Sequence, residues 1–178
     1  MNDIEKSDRR TKRILALVFS GIYVVIILPI LGVLVSLYLD SIAGLPKFLP
    51  FPINVIIAII VLIFGFFWAL WSNLEIFHSG KGSPVPLKGT QTVMLVIKGP
   101  YKYTRNPMVF GYILIWIGLG FLFNSIFLLF GFSLLITLLL IVFVKLWEEK
   151  NLEKRFGNSY SEYKKRVSFL IPLPSKKN

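Results

Sequence analysis

The sequence predicts an all-α polytopic membrane protein with about four transmembrane helices, a helical hairpin and a short cytoplasmic helical tail. Of its 178 residues, 55% are hydrophobic and only 16% are charged, which is too apolar for an ordinary soluble domain of this length. Apolar runs recur at about the 20-residue length that crosses a bilayer core. Lysines and arginines cluster in the segments that flank these runs, as they do on the cytoplasmic side of membrane proteins.

Composition also excludes several classes of function. A net charge of +11 is typical of nucleic-acid-binding proteins, but the flanking positions of the cations account for it here, so we predict no nucleic-acid partner. There is no cysteine, which excludes disulfides, thiol catalysis and cysteine-ligated metals. A single histidine, His78, does not suffice for a histidine-rich metal site, and we predict no metal. We interpret His78 as a polar anchor at a helix end rather than as a base.

Residues 1–79 are predicted to hold two membrane helices. The first spans residues 14–39 behind a basic segment, and it is too long for a signal peptide and lacks a small-residue cleavage site. Pro29 lies inside this span and predicts a kink, because proline removes a helix hydrogen bond. The second spans residues 53–77, and its Trp68 and Trp71 fit an interfacial aromatic belt.

A polar connector rich in glycine and proline follows over residues 78–98. Within it, Gly80-Lys81-Gly82-Ser83 has the composition of a phosphate-binding loop but not its glycine spacing, so we predict a flexible turn.

Two further apolar runs predict a helical hairpin. The third span covers residues 107–123, with Pro107 in the first turn, where the missing N–H of proline matters least. Its length is at the lower limit for crossing a bilayer, so it either crosses untilted or is partly re-entrant. Asn124-Ser125 predicts a tight turn, and the fourth span covers residues 126–146.

Beyond the hairpin, the chain is predicted to stay helical to Phe156, where Gly157 ends the helix. Ser159 and Glu162 have the spacing of a capping box, which predicts a second short helix over residues 160–167. On that helix, one face is expected to carry Tyr160, Tyr163 and Val167, whereas Lys164, Lys165 and Arg166 point elsewhere.

The chain shows no internal repeat and no low-complexity linker, so we predict a single domain over residues 1–178. In this domain, residues 1–79 form the two N-terminal membrane helices, and residues 80–174 form the connector, the hairpin and the tail. The cation-rich termini and connector, against the cation-poor loop 40–52, predict that both termini are cytoplasmic.

The predicted hairpin brings two polar stretches to the same membrane face. Arg105 and Asn106 precede its first helix, and Glu148 and Glu149 follow its second, so we expect a cation, an amide and two carboxylates to meet. Taken singly, Arg105 fits an anchor at a helix start. Adjacent carboxylates at an apolar boundary repel each other and need a cation, which is Arg105, Lys145 or the ammonium of a ligand.

Five aromatic residues lie in the same stretches: Tyr101, Tyr103, Trp147, Tyr160 and Tyr163. They form either an interfacial belt or the walls of a pocket for a planar or cationic ligand. S-adenosylmethionine is one of many zwitterions that such a pocket would fit.

The ordered combination of these motifs resembles the isoprenylcysteine carboxyl methyltransferase family and the related phospholipid methyltransferases. The resemblance covers about residues 80–174. It depends on Leu95-Val96, Gly99-Pro100-Tyr101, Arg105-Asn106-Pro107, Gly111, Glu148-Glu149, Phe156-Gly157, Tyr160, Tyr163, Lys164-Lys165-Arg166-Val167 and Pro172.

The resemblance implies an integral membrane methyltransferase that uses S-adenosyl-L-methionine and acts on a lipid-like or prenylated acceptor from the bilayer. Carried over by position, the cofactor contacts fall on Leu95, Val96, Tyr101, Asn106, Pro107, Met108, Val109 and Glu148. On the geometry of the hairpin we add Arg105 and Glu149 as candidate catalytic residues, with Glu149 as the base if the acceptor is an amine.

Two positions depart from the family pattern. Asn106 stands where many members have histidine, and an amide does not titrate near neutral pH, so Asn106 is not expected to be a general base. Val144 stands where the prenylcysteine enzymes carry a substrate-binding arginine, and the adjacent Lys145 points about 100° away on a helix. A phospholipid N-methyltransferase therefore stays open as an alternative, as does a non-catalytic amphiphile-binding protein or transporter.

Overall fold

The computed structural model describes residues 23–79 and 94–175, and within these ranges the chain is helical. Its helices are α1 (Tyr23–Ile42), α2 (Ile53–Ser79), α3 (Pro107–Phe123), α4 (Phe127–Phe156) and α5 (Asn158–Arg166), with a 3-10 turn at Gly99–Lys102. Instead of strands, the described residues contain one isolated β-bridge, between Thr104 and Ser168. The all-α prediction is confirmed.

Three helices, α1, α2 and α4, are long and apolar enough to cross a bilayer. The third predicted span is confirmed to the residue as α3, which is shorter at 17 residues. The fourth runs on without a break to Phe156, as predicted. The predicted start of the first span, and the turn predicted at residues 80–83, lie outside the described residues.

The four long helices alternate in direction. Asn54 of α2 donates to the carbonyl oxygens of Phe121 and Leu122 near the end of α3, so α2 and α3 are antiparallel. Asp40 of α1 accepts a hydrogen bond from the backbone N–H of Phe127 at the start of α4. The α1–α2 loop and the α3–α4 turn therefore share one end of the bundle, and the start of α3 lies at the other end.

The turn between α3 and α4 is fixed by Asn124, as the sequence predicted. Its backbone is left-handed, with φ 52°. Its side-chain oxygen accepts hydrogen bonds from the N–H groups of Phe48 and Leu49 at 3.2 and 3.1 Å, and its amide nitrogen donates to the Leu49 carbonyl at 2.6 Å. One side chain thus closes the hairpin and holds the α1–α2 loop against it.

Helices α2 and α3 approach most closely at Gly111. A Cβ atom at this position would lie 2.6 Å from the Ala69 nitrogen and 2.7 Å from the Gly65 oxygen, both of them backbone atoms of α2. Small residues that allow such contact are typical of helix pairs in membranes, where packing rather than the hydrophobic effect drives association. The glycine that follows the Asn-Pro corner therefore has a packing role.

The core of the bundle surrounds Trp116 of α3. Its indole is fully buried and stacks on Phe132 with ring centroids 5.4 Å apart, and Val33, Leu128 and Ile136 complete the cluster. Apolar side chains on the outer faces of α2 and α4 stay exposed, as expected for surfaces in contact with lipid.

Two local predictions need comment. The capping box at Ser159 is wrong: α5 begins at Asn158 directly after Gly157, so Ser159 is already inside the helix. The carboxylate of Glu162 pairs instead with Lys165 at 2.7 Å. At Pro29, a π-helical turn over Tyr23–Ile27 precedes the proline, which occupies the first turn of the α-helical part.

Candidate functional site

A buried ion pair between Arg105 and Glu149 forms the centre of the site. Arg105 lies between the 3-10 turn and α3, whereas Glu149 follows a π-helical turn, Val144–Glu148, within α4. The Nη1 atom of Arg105 contacts Oε1 of Glu149, and the two side chains are only 11% and 10% exposed. The predicted meeting of Arg105 with Glu149 is thus present in the structure, whereas the amide of Asn106 bonds the tail and Glu148 does not take part in the ion pair.

Glu149 has two further partners, both from the tail. The Tyr160 hydroxyl donates to its Oε1 at 3.3 Å, and the Lys164 ammonium lies 3.4 Å from its Oε2 and 2.7 Å from Glu153. The prediction that Lys164 points away is wrong, because a residue four positions after Tyr160 shares its helix face. That spacing was the signal in the sequence.

Burial and charge act on the tail residues around this pair. The pKa of Tyr160 is raised by its burial and then by the neighbouring carboxylate of Glu149. The pKa of Tyr163 is raised mainly by burial. The pKa of Lys164 is raised because its ammonium is hydrogen-bonded to Glu153. The tyrosines are therefore held as neutral phenols.

The segment after α5, which we call the tail clip (residues 168–173), pairs with residues 103–106. The N–H of Arg105 donates to the Ser168 carbonyl at 2.9 Å, and the N–H of Leu173 donates to the Tyr103 carbonyl at 2.9 Å. The Phe169 carbonyl accepts from Asn106 Nδ2 at 2.7 Å and from the Thr104 hydroxyl at 3.2 Å. These bonds fix the backbone that carries Arg105.

The ring of Phe169 in the tail clip contacts two cations. Cζ of Arg105 lies 5.5 Å from the ring centroid, and Nζ of Lys145 lies 5.1 Å from it. Both distances are within the range of cation–π attraction. Lys145, which we had considered as a partner for the glutamates, is thus directed at the tail.

Asn106 uses its side-chain amide to hold the tail clip rather than to cap α3. Asn106 and Pro107 are buried at the start of α3, and Met108 and Val109 follow half-buried in its first turn. These four predicted cofactor contacts therefore lie together beside the ion pair.

Of the other predicted contacts, Leu95, Val96 and Tyr101 lie on the side of the connector that packs against the tail. Val96 and Tyr101 are buried, and the Tyr101 carbonyl accepts a hydrogen bond from the Tyr163 hydroxyl at 2.7 Å. Leu95 packs against the cluster of Tyr160, Tyr163 and Val167. A cavity of about 560 Å³ opens next to Leu95, between the connector and the tail.

Glu148 is half-buried, and it forms no ion pair or hydrogen bond with any residue in the ranges 23–79 and 94–175. Burial of Tyr101 raises the pKa of its phenol, and the charge of the Glu148 carboxylate raises it further. Glu75 of α2 acts on Tyr101 in the same direction and lies against Gly99, where a Cβ would come within 2.7 Å of its Oε2. Sequence analysis missed Glu75, since nothing local links it to the hairpin.

The five aromatic residues divide into two groups. Tyr101, Tyr160 and Tyr163 are buried at the site. Tyr103 and Trp147 are 42% and 66% exposed, and the Tyr103 ring lies 6.4 Å from both Trp68 and Trp71, which places it in the aromatic surface of α2. In the first group, Tyr160 bonds Glu149 of the ion pair, and Tyr163 links the tail to Tyr101.

A family model described as phospholipid methyltransferase matches residues 53–159, which comprise α2, α3, α4 and the first residues of α5. The comparison with curated proteins gives no match. The matched region contains Arg105 and both glutamates but ends before Lys164 and the tail clip.

Proposed function

The chain belongs to the phospholipid methyltransferase family, and we propose that it transfers the methyl group of S-adenosyl-L-methionine to a lipid-like acceptor that enters from the bilayer. The family and the three bilayer-length helices indicate an integral membrane methyltransferase. The methyl donor, the acceptor and the roles of the site residues are our proposals.

The residues around Glu148 fit the donor. A carboxylate without a protein partner is a natural acceptor for the donor's ammonium group, and Glu148 has no partner within residues 23–79 and 94–175. Pro107, Met108 and Val109 supply apolar surface at the start of α3. When bound, the donor supplies an electrophilic methyl group on its sulfonium sulfur. The protein's task is then to align the two reactants and exclude water.

Arg105 and Glu149 hold α3, α4 and the tail in one arrangement around this position. A carboxylate acceptor needs no base, whereas an amine acceptor must first lose a proton. We propose Glu149 for that step, through its Oε2, whose contact is Lys164 at 3.4 Å. Asn106 is a positioning residue, since its amide holds the tail clip.

The acceptor falls into one of two chemical classes, a prenylated compound with a carboxylate or a phospholipid amine. Val144, at the position of the substrate arginine in prenylcysteine enzymes, is 1% exposed and apolar. An apolar side chain at this position does not bind a carboxylate, so the observation favours the phospholipid amine over the prenylated carboxylate as the acceptor. Both classes are amphiphiles that reach the site from the lipid-exposed side of α4.

The carboxylate of Glu148, which has no partner in the part of the chain that the structure describes, carries the proposal, and Glu148→Gln tests it. We expect the variant to bind S-adenosyl-L-methionine at least tenfold more weakly by calorimetry and to lose methyl transfer in proportion, because a charge-assisted hydrogen bond is replaced by a neutral one. Glu162→Gln, a change at an exposed carboxylate of α5, is the matched control and should leave both unchanged. Unaltered donor affinity in Glu148→Gln would refute the assignment.

The acceptor class follows from the chemistry of the product. Membranes containing the full chain are incubated with the radiolabelled donor, and the lipids are extracted and treated with mild alkali. A carboxyl methyl ester releases its label under this treatment, whereas an N-methyl group retains it. Mass spectrometry of the same extract should show a shift of one methylene unit. No label in any lipid or prenylated compound would refute the proposed function and favour the amphiphile-binding or transport alternative.

A further inference from the structure

Lys145 is a cation without a carboxylate partner in the described part of the chain. Nearby cations are paired: Arg105 with Glu149, and Lys164 with both Glu149 and Glu153. Lys145 is an exposed residue, and its ammonium is directed at the Phe169 ring of the tail clip, 5.1 Å from the ring centroid.

Arg105 provides a second, independent observation at the same ring. Its Nη1 is paired with Glu149, but its Nε is buried and has no hydrogen-bond partner among the described residues. A buried donor without an acceptor is costly, and native structures contain few of them. Two unmatched donors, the Nε–H of Arg105 and the ammonium of Lys145, thus lie beside Phe169.

The lipid side of the bundle reaches this position directly. The neighbours of Lys145 on the outer surface of α4, Val142 and Leu146, are 51% and 61% exposed. An amphiphile whose chains lie along this surface would bring its polar headgroup to Lys145 first. Arg105 contacts the same Phe169 ring as Lys145, so an oxyanion of the headgroup would meet both cations there.

We infer that Lys145 and Arg105, assembled on Phe169, form a subsite for an oxyanion of the acceptor. The acceptor is therefore an amphiphile that carries a phosphodiester or a carboxylate. This inference rests on the proposed function, because it assigns the acceptor's charge at the same site. The proposed subsite is at Lys145 and not at the adjacent Val144, whose side chain is buried and apolar and does not bind an oxyanion. Phe169 lies beyond the residues that match the family.

The test measures binding without the methyl donor, on the full chain in mixed micelles. The ligands are phosphatidylethanolamine, a farnesylated cysteine with a free carboxylate, diacylglycerol as the uncharged amphiphile, and inorganic phosphate. Lys145→Gln should weaken binding of at least one of the two amphiphiles that carry an oxyanion about tenfold and leave diacylglycerol unchanged, because it removes one charge-assisted contact. The amphiphile that loses affinity identifies the source of the oxyanion.

Three variants control for structural damage. Lys145→Arg keeps the charge and should retain most of the affinity. Phe169→Leu keeps apolar volume but removes the cation–π platform, so it should reproduce the selective loss in part. Lys150→Gln removes an exposed lysine from the same helix and should bind like the wild type.

Several results would overturn the subsite. The first is that Lys145→Gln binds both oxyanion-bearing amphiphiles with wild-type affinity. The second is that it loses as much affinity for diacylglycerol as for them. The third is that inorganic phosphate binds as tightly as the lipids and that this binding depends on Lys145. The outcome is separable from that of the proposed function. Lys145-dependent binding without methyl transfer would refute only the proposed function, and methyl transfer with an unchanged acceptor KM in Lys145→Gln would refute only the subsite.

Discussion

Replacing Glu149 by glutamine tests the ion pair on which the site depends. Glutamine keeps the shape of the side chain and can still accept hydrogen bonds from Arg105 and Tyr160, but it removes the charge. Arg105 is then left as a guanidinium that is only 11% exposed, without a counter-charge. Lys164 loses one of its two carboxylates and keeps Glu153 at 2.7 Å. The main cost therefore falls on Arg105.

The size of this cost follows from the burial of the pair. Removing one partner of a buried ion pair typically costs about 3–5 kcal/mol, and the retained hydrogen bonds place Glu149→Gln at the lower end, at about 3 kcal/mol. For a chain of this size, about 2–4 °C of midpoint corresponds to each kcal/mol. We therefore expect the apparent unfolding midpoint in detergent to fall by about 6–12 °C.

The assay compares four variants by thermal unfolding in the same detergent: Glu149→Gln, Arg105→Gln, the two combined, and Glu162→Gln. Glu162→Gln breaks an exposed pair with Lys165 and should leave the midpoint nearly unchanged, because solvent screens that pair. Arg105→Gln combined with Glu149→Gln should cost less than the sum of the single changes, since it leaves no unpaired charge. If Glu149→Gln unfolds at the same temperature as Glu162→Gln, the pair is not a stabilising element and the reasoning is refuted.

Three further predictions concern the parts that position the site. Gly111→Ala should lower the unfolding midpoint, because overpacking against the α2 backbone (about 1–3 kcal/mol) outweighs the gain in helix propensity (about 1 kcal/mol). Gly131→Ala is the control and should not lower the midpoint, because a Cβ atom there would lie 3.4 Å from its nearest neighbour, an ordinary contact distance. The free energy of unfolding should fall as the pH rises above about 10. In that range the tyrosines of the unfolded chain ionise, whereas Tyr160 and Tyr163, whose pKa values are raised in the folded protein, stay protonated. Tyr163→Phe should make the free energy of unfolding less dependent on pH. Asn124→Ala should be less stable than Asn124→Gly by about 1 kcal/mol, because both lose the contacts with the α1–α2 loop but only alanine is strained at φ 52°; equal midpoints would contradict this.

The hairpin and its ends could be predicted because their determinants are local. Pro107 starts α3, Asn124 ends it, and the apolar length between them sets the span. Two antiparallel helices joined by a tight turn return to the same face, so the meeting of Arg105 with Glu149 needed no long-range information. The same reasoning placed Gly157 at the end of α4.

The tail clip could not be predicted because its bonds use backbone atoms. Arg105 and Leu173 donate through their own N–H groups, which every non-proline residue has, so the pairing leaves no pattern of residue types. No pattern of residue types predicts the π-helical turn before Glu149 either, although such turns are frequent at functional sites. The side of α5 on which Lys164 lies, by contrast, could have been predicted from helical spacing, because Lys164 is four residues after Tyr160.

The tail clip also explains why a buried arginine is tolerated at the end of the bundle where α3 begins. The guanidinium of Arg105 has a carboxylate on one side and the Phe169 ring beside it, and its backbone N–H is bonded to Ser168. All three contacts come from chain segments that follow the hairpin, so Arg105 is ordered only when α4 and the tail have docked. The same docking brings the Lys145 ammonium to 5.1 Å from the centroid of that ring. Loosening the clip should therefore weaken the binding of donor and acceptor together, although none of its backbone bonds needs to contact either molecule.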